Sequence, residues 1–314
     1  MTAPPWRIVF FGTPSFALPT LKGLLDGPDE VVGVVTQPDR EKGRGRKVVI
    51  SAVKELALQY DLGVLQPEKV KEEAFQQVMR GLRPDLFVVI AYGQILPKSL
   101  LSIPKYGAVN VHASLLPRYR GAAPIAWAIL KGEKITGVTT MFMDEGMDTG
   151  DILLQTEVLI GAKETCQNLH DRLALLGAQL LSKTLGMMKA GDVRPLPQGN
   201  SKATYAPSLR KEDGGIDWKG EAAEIDRQIR AFNPWPGAFT KWEGRLLKIC
   251  GGEIRERTPG GKVGMVVWVG SDFIEVETGK GSYLIAEVQL EGRKKMTVRE
   301  FLSGHPIRVG TVFH

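Results

Sequence analysis

Four short apolar runs, separated by helix-like stretches, limit the first half of this chain to a layered α/β fold. Arg7–Phe11 (RIVFF) closes on Gly12-Thr13-Pro14, the signature of a buried strand ending in a turn. Val31–Thr36 (VVGVVT), Leu86–Ala91 (LFVVIA) and Ala108–Val111 follow. The run at Leu86 is continuous, short and β-branched, as a parallel strand covered on both faces should be. Helices are expected over Phe16–Leu25 and over Ser51–Tyr60, with Ser51 as the N-cap. This alternation predicts a doubly wound, mainly parallel sheet of Rossmann-like type.

Two more strands are expected at Thr136–Met143 and Asp151–Ile160, joined by an acidic loop. A long helix from Glu164 to Lys189 should bury its leucines at 169, 173, 176 and 180 as one stripe. Gly191–Pro207 is rich in proline, glycine and polar residues and has no period, so it marks a boundary. The expected division is a domain over 1–190, a linker over 191–208 and a second domain over 209–314. Beyond the boundary the texture changes. One helix is expected at Glu221–Ala231, followed by glycine-separated runs (RLLKI, GMVVWVG, FIEVET, SYLIAEV) that read as a small antiparallel β-barrel.

Composition narrows the function. A hydrophobic fraction of 43% with 24% charged residues describes a globular protein with real cores, and no apolar run is long enough for a transmembrane helix. The start, MTAPPWRIVFFG, reads as the approach to a strand and not as a signal peptide. A cytoplasmic protein is expected. Cys166 and Cys250 lie far apart in apolar settings, which predicts buried, unpaired thiols and no metal site. The net charge of +6 mildly favours an anionic partner such as RNA. That excess is spread evenly, with 18 Lys/Arg against 15 Asp/Glu beyond residue 200 and 23 against 20 before it.

The stretch most charged with chemistry is AVNVHASLLPRYRGAAPI, residues 108–125. Asn110 and His112 are two apart on an expected strand, so they share a face. They sit at its carboxyl end, where doubly wound sheets bind ligands. An amide there can donate to a developing oxyanion, and an imidazole can relay a proton near neutral pH. The loop Asp144–Asp151 (DEGMDTGD) offers Asp144, Glu145, Asp148 and Asp151 as orienting carboxylates, and spacing does not choose among them. An EF-hand reading of this loop fails, because Gly146 and Gln155 fall where ligands are required. Gly12-Thr13-Pro14 lacks both GxGxxG and GKS/T, which weakens nicotinamide and P-loop readings.

NVHASLLPRYRGAAPI resembles the folate-binding and catalytic signature of the 10-formyltetrahydrofolate-dependent formyltransferases. FFGTPSFA, TQPDREKGRGRK (36–47), KEDGGIDW (211–218) and FNPWPGAF (232–239) are similar to members acting on methionyl-tRNA, so the resemblance spans nearly the whole chain. It implies a catalytic trio of Asn110, His112 and Asp148, and tetrahydrofolate contacts from Ser114, Leu115, Leu116 and Pro117. It also implies formyl transfer from 10-formyltetrahydrofolate to the α-amine of methionine on initiator methionyl-tRNA. Neither a metal nor a covalent nucleophile is needed, and a monomer is expected. The C-terminal barrel is similar to an oligonucleotide-binding (OB) fold.

Asp39–Lys47 (DREKGRGRK) is read as a mobile basic arm, with Arg40, Lys42, Arg44, Arg46 and Lys47 as its cations. The resemblance implies that it meets the tRNA acceptor stem, with Arg44 the key side chain. Trp235, between two prolines, is a candidate for base stacking. Rival readings are a formyl-folate enzyme acting on glycinamide ribonucleotide or a sugar nucleotide, a formyltetrahydrofolate hydrolase, and a noncatalytic RNA-binding protein. The basic arm and the C-terminal domain favour tRNA.

Overall fold

The structure, a computed structural model, describes residues 4–42, 47–258 and 260–314. They divide into two compact units. The first holds the described residues up to Pro124, with Ile135–Leu159 and His170–Ala206; the second holds Ile125–Lys134, Ile160–Leu169 and Pro207–His314.

In the first unit the expected strands appear as β1 (Arg7–Gly12), β2 (Glu30–Val35), β6 (Leu86–Ile90), β7 (Ala108–His112), β8 (Ile135–Phe142) and β9 (Ile152–Leu159). Between them in the chain lie β3 (Arg40–Lys42), β4 (Lys47–Val49) and β5 (Val64–Leu65), none of which was expected. A seven-stranded sheet runs β5-β2-β1-β6-β7-β8-β9. Pairing is parallel from β5 to β7 and antiparallel at β7·β8 and β8·β9. All five residues of β6 are buried, as its continuous apolar run requires.

Helix α1 (Leu18–Leu25) opens on a short 3₁₀ turn, and α2 (Ala52–Gln59) has the expected cap, the Ser51 hydroxyl accepting from the Lys54 amide at 3.0 Å. Helices α3 (Glu73–Gly81), α4 (Lys98–Leu101) and α5 (Pro124–Leu130) were not expected. The long helix α6 spans Cys166–Ala190. Its stripe buries Leu169, Leu173 and Leu180, while Leu176 is half-buried. Gly177 extends the stripe, where a Cβ would come within 2.8 Å of Val111 on β7. Thr184 and Thr140 of β8 share a 2.8 Å hydrogen bond. Because side chains alternate along a strand, packing α6 on Val111 turns Asn110 and His112 to the opposite face.

The stretch Asp39–Lys47, read as a loop, contains strand at both ends. β3 and β4 pair antiparallel, Arg40 opposite Val49 and Lys42 opposite Lys47. β3 is wholly charged (REK) and β4 is only three residues long (KVV), so no apolar alternation marked them.

The second unit is an antiparallel sheet ordered β10-β11-β14-β13-β12, with β15 on β14. Its strands are β10 (Phe239–Trp242), β11 (Arg245–Arg255), β12 (Val266–Val269), β13 (Ile274–Glu277), β14 (Ser282–Leu290) and β15 (Met296–Thr297). Register shifts on both sides of Gly251 bend β11 along β14, which curls the sheet into an OB-like half-barrel. Helices α7 (Ala222–Ala231) and α8 (Val298–Gly304) seal a core containing Ile225, Trp242, Leu247, Val276, Ile285 and Phe301.

Cys166 and Cys250 are free thiols, but half-buried and not fully buried as expected. Burial still dominates their chemistry, pushing the Cys166 thiol up to about 11 and Cys250 upward as well. Among the described residues no helix is long and apolar enough to cross a membrane.

Candidate active site

Strand β7 ends at His112, at the carboxyl edge of the parallel strands. Its imidazole is buried, with the side chain 8% exposed. The His112 Nε2 lies 2.9 Å from the carbonyl oxygen of Tyr119. A carbonyl only accepts, so Nε2 carries the proton and donates. The other ring nitrogen, Nδ1, stands 3.6 Å from Asp148 Oδ2. That distance is beyond a normal hydrogen bond and within an ion pair when Nδ1 is protonated.

Asp148 reaches this position from the loop between β8 and β9. Its φ of +53° is left-handed, a conformation Asp adopts more readily than most residues. The Gly121 amide donates to the same Oδ2 at 2.7 Å. The carboxylates of Asp144 and Glu145 are engaged elsewhere, and Asp151 is held in place by its backbone. Asp144 Oδ1 accepts from the Gly146 amide and the Thr149 hydroxyl, tying the turn to itself. Glu145 pairs with Lys98 at 3.2 Å, and the Asp151 carbonyl accepts from the Phe142 amide. Among the described residues, Asp148 is the carboxylate of this loop that meets the imidazole.

Asn110 is half-buried beside His112 on the same strand face. Among the described residues its carboxamide has no protein partner, so both its donor and its acceptor are open to a ligand. The arrangement is therefore an amide donor, an imidazole and a carboxylate at one sheet edge.

The segment Ser114–Pro117 is tightly spent on the protein. Ser114 is fully buried and its hydroxyl donates to the Arg118 carbonyl at 2.6 Å. Thr139 of β8 donates to the Ser114 carbonyl, and Gln155 of β9 to the Leu116 carbonyl. Leu116 packs with Met141 and Ile152. Leu115 and Pro117 remain half-exposed, so they are the side chains of this segment a ligand can touch. Leu115 lies over Gly137, where an added Cβ would sit 2.6 Å from its Cδ2.

Two residues without a sequence role complete the surroundings. Arg120 is 2% exposed and donates to Gln198 Oε1 through Nε and Nη2, and to Asn200 Oδ1 through Nη1. Gln198 Nε2 donates to the carbonyls of Asp148 and Gly150 at 2.9 and 2.7 Å. An arginine amid RGAAPI is a weak hint of burial; nothing marked Gln198 in its proline-rich stretch.

Of the basic arm, Arg40 is exposed on β3, and Lys42 and Lys47 occupy strand positions. Arg44 and Arg46 lie outside the described residues. At the base of the arm, Asp39 is gripped by Lys54 and Gln66, and the Lys54 ammonium holds its carboxyl below the usual range. In the second unit Trp235 is 57% exposed, so its indole is not packed into the core.

The formyl transferase family model matches residues 6–185, and that of the formyl transferase C-terminal domain matches 208–306. A methionyl-tRNA formyltransferase of Citrifermentans bemidjiense is 51% identical over 97% of this chain and 95% of its own length. One from Geobacter sulfurreducens is 50% identical over 97% and 96%. Among solved structures, the N-formyltransferase from Helicobacter canadensis, in complex with folinic acid and dTDP-3-aminofucose, superposes with a TM-score of 0.67 at 20% identity, covering 93% of this chain and all of that one. HypX from Aquifex aeolicus, in complex with tetrahydrofolic acid, gives 0.64 at 19% identity over 95% of this chain, which spans just under half of HypX (47%). These two structural likenesses concern the fold. On the matches of both family models and the half-identical relatives, this chain belongs to the formyl transferase family.

Proposed function

We propose that this chain transfers the formyl group of 10-formyltetrahydrofolate to the α-amine of methionine carried by initiator methionyl-tRNA. The product, N-formylmethionyl-tRNA, serves translation initiation in the cytoplasm. The observation that carries the reading is the meeting of His112 and Asp148 at 3.6 Å beside the unpartnered Asn110 carboxamide. The identity of about one half to relatives named for this reaction supports the choice of acceptor.

The methionyl amine, as free base, attacks the formyl carbon. The new C–N bond forms as the carbonyl electrons move to oxygen. Asn110 donates its amide N–H to that oxyanion. His112 joins it by exchanging its bond to the Tyr119 carbonyl for one to the charged oxygen. The exchange costs roughly the 1 kcal/mol of a neutral hydrogen bond and gains a charge-assisted one of about 1.5–3 kcal/mol. Asp148 orients the ring and accepts the proton leaving the amine. Collapse of the intermediate breaks the bond to the folate N10, which leaves with the electron pair and takes up the proton that Asp148 received.

In this reading residues 1–190 carry catalysis, 191–208 join the domains and 209–314 contribute to tRNA binding, with the protein acting as a monomer. Leu115 and Pro117 line the folate, buttressed by Ser114 and Leu116. Arg40, Lys42, Arg44, Arg46 and Lys47 engage the acceptor end. The test supplies 10-formyltetrahydrofolate with methionyl-tRNA, glycinamide ribonucleotide or an amino sugar nucleotide. Formylation of methionyl-tRNA is expected; transfer to another acceptor, or release of formate alone, overturns the reading.

A further inference from the structure

A buried arginine normally faces a carboxylate, because an uncompensated charge out of water is costly. Arg120 does not. Among the described residues no carboxylate lies within ion-pair distance of its nitrogens, and its three hydrogen bonds go to the amide oxygens of Gln198 and Asn200. The side chain is nevertheless only 2% exposed. A group held at this cost needs a reason.

The reason lies one bond further on. The guanidinium only donates, so it fixes the Gln198 oxygen toward itself and the Gln198 nitrogen away. That nitrogen donates to two carbonyls, those of Asp148 and Gly150. Asp148 is thus gripped on both sides: its carboxylate by the Gly121 amide and its backbone by Gln198. Both grips originate in the tripeptide Tyr119-Arg120-Gly121. The Tyr119 carbonyl also holds His112 Nε2 at 2.9 Å. The tripeptide is itself clamped to the strap carrying Gln198. Arg120 and Thr204 pair at 2.9 Å, Ala206 donates to Arg120 at 2.8 Å, and the Tyr119 amide donates to the Thr204 hydroxyl at 2.8 Å.

We propose that Arg120 acts through Gln198 as a positioning residue, holding Asp148 in its left-handed conformation so that its carboxylate faces His112. The inference rests on the reading of Asn110, His112 and Asp148 as the catalytic trio. It assigns Arg120 and Gln198 no contact with substrate.

Gln198→Glu separates positioning from packing. Glutamate keeps an acceptor for Arg120, and supplies the missing countercharge, but turns a second acceptor toward the carbonyls of Asp148 and Gly150. The melting temperature should hold or rise. At saturating 10-formyltetrahydrofolate and methionyl-tRNA, kcat should fall by roughly 10- to 100-fold, the scale of a displaced catalytic group. Both KM values should change less than about threefold, since neither substrate loses a contact. In an Asp148→Asn background, Gln198→Glu should cost little more, because both changes disable one group. Gln198→Met, which loses the bonds to Arg120 and to both carbonyls without adding charge, should give the same kinetic readings with a lower melting temperature, should the glutamate variant fail to fold. Wild-type kcat in a folded Gln198 variant overturns the inference, and so does a full additive loss on top of Asp148→Asn. Retained turnover in Asp148→Asn alone overturns instead the trio beneath it.

Discussion

The backbone amide of Gly121 donates to the same Asp148 oxygen that faces His112, at 2.7 Å against 3.6 Å to the imidazole. The carboxylate that orients the histidine is therefore anchored by a main-chain donor 27 residues earlier in the chain. Gly121 makes this possible through its backbone: φ is +119°, and a Cβ would lie 2.8 Å from the Ala206 carbonyl oxygen. Gly121→Ala is expected to lower stability by roughly 1–3 kcal/mol through that strain. It should also lower kcat as the donor shifts. Urea unfolding midpoints and single-turnover rates check the two effects, and unchanged values for both would contradict the anchoring.

The trio predicts its own deletions. Asn110→Asp keeps shape and removes the amide donor, and should reduce kcat by about 10²–10³-fold, the loss for one oxyanion donor. His112→Ala and Asp148→Ala should fall comparably while circular dichroism stays native. Near-wild-type turnover in all three removes the assignment.

Two glycines of α6 should respond in opposite ways to the same substitution. Gly177 faces Val111 so closely that an added Cβ comes within 2.8 Å, whereas at Gly186 the space is open. Gly177→Ala should destabilise by about 1–3 kcal/mol through overpacking. Gly186→Ala should stabilise by roughly 0.5–1 kcal/mol, the difference in helix propensity. Thermal melts of both variants decide whether α6 packs on β7 at Gly177.

The basic arm should act through charge. Arg40→Ala combined with Arg44→Ala is expected to raise KM for methionyl-tRNA and leave KM for the folate unchanged. The slope of log KM against log salt should shrink by about one to two, near the value for one to two lost phosphate contacts. A salt series with an unaltered slope would separate the arm from the RNA.

The thiols predict a pH dependence of labelling. With the Cys166 thiol pushed up to about 11, its thiolate is scarce near neutrality. Alkylation at pH 8 should run roughly 100-fold slower than for a free cysteine of pKa about 8.5, and accelerate as pH rises toward 11. Mass spectrometry of the labelled peptide measures the ratio; fast labelling at pH 8 would mean that burial does not govern this thiol.

Local patterns carried much of this protein. The runs at Arg7, Val31, Leu86 and Ala108 became the parallel strands because a strand covered on both faces is dominated by apolar side chains, most completely in β6. The glycine-separated runs beyond residue 238 became the curled sheet with one face toward the core, as the alternating burial of β11 and β14 shows. Asn110 and His112 were legible as a pair because strand alternation alone puts them on one face. The helix at Glu73–Gly81 carries a local signal too, with Phe75 and Met79 four apart on its buried face. The ribbon β3–β4 was not legible, since its strands are three residues long and pair the charged β3 with Val48, Val49 and Lys47, leaving no alternation to read.

What the chain could not declare locally is which distant groups meet. DEGMDTGD offers four carboxylates of similar chemistry, and only the turn tied by Asp144, with Asp148 at positive φ, points one of them at His112. Arg120 and Gln198 are 78 residues apart, and their bond exists because the strap at Thr204–Ala206 pairs with Arg120. The periods of helices and strands are short-range and can be read along the chain. Hydrogen bonds between loops depend on where the whole sheet delivers their ends, and only the folded protein decides that.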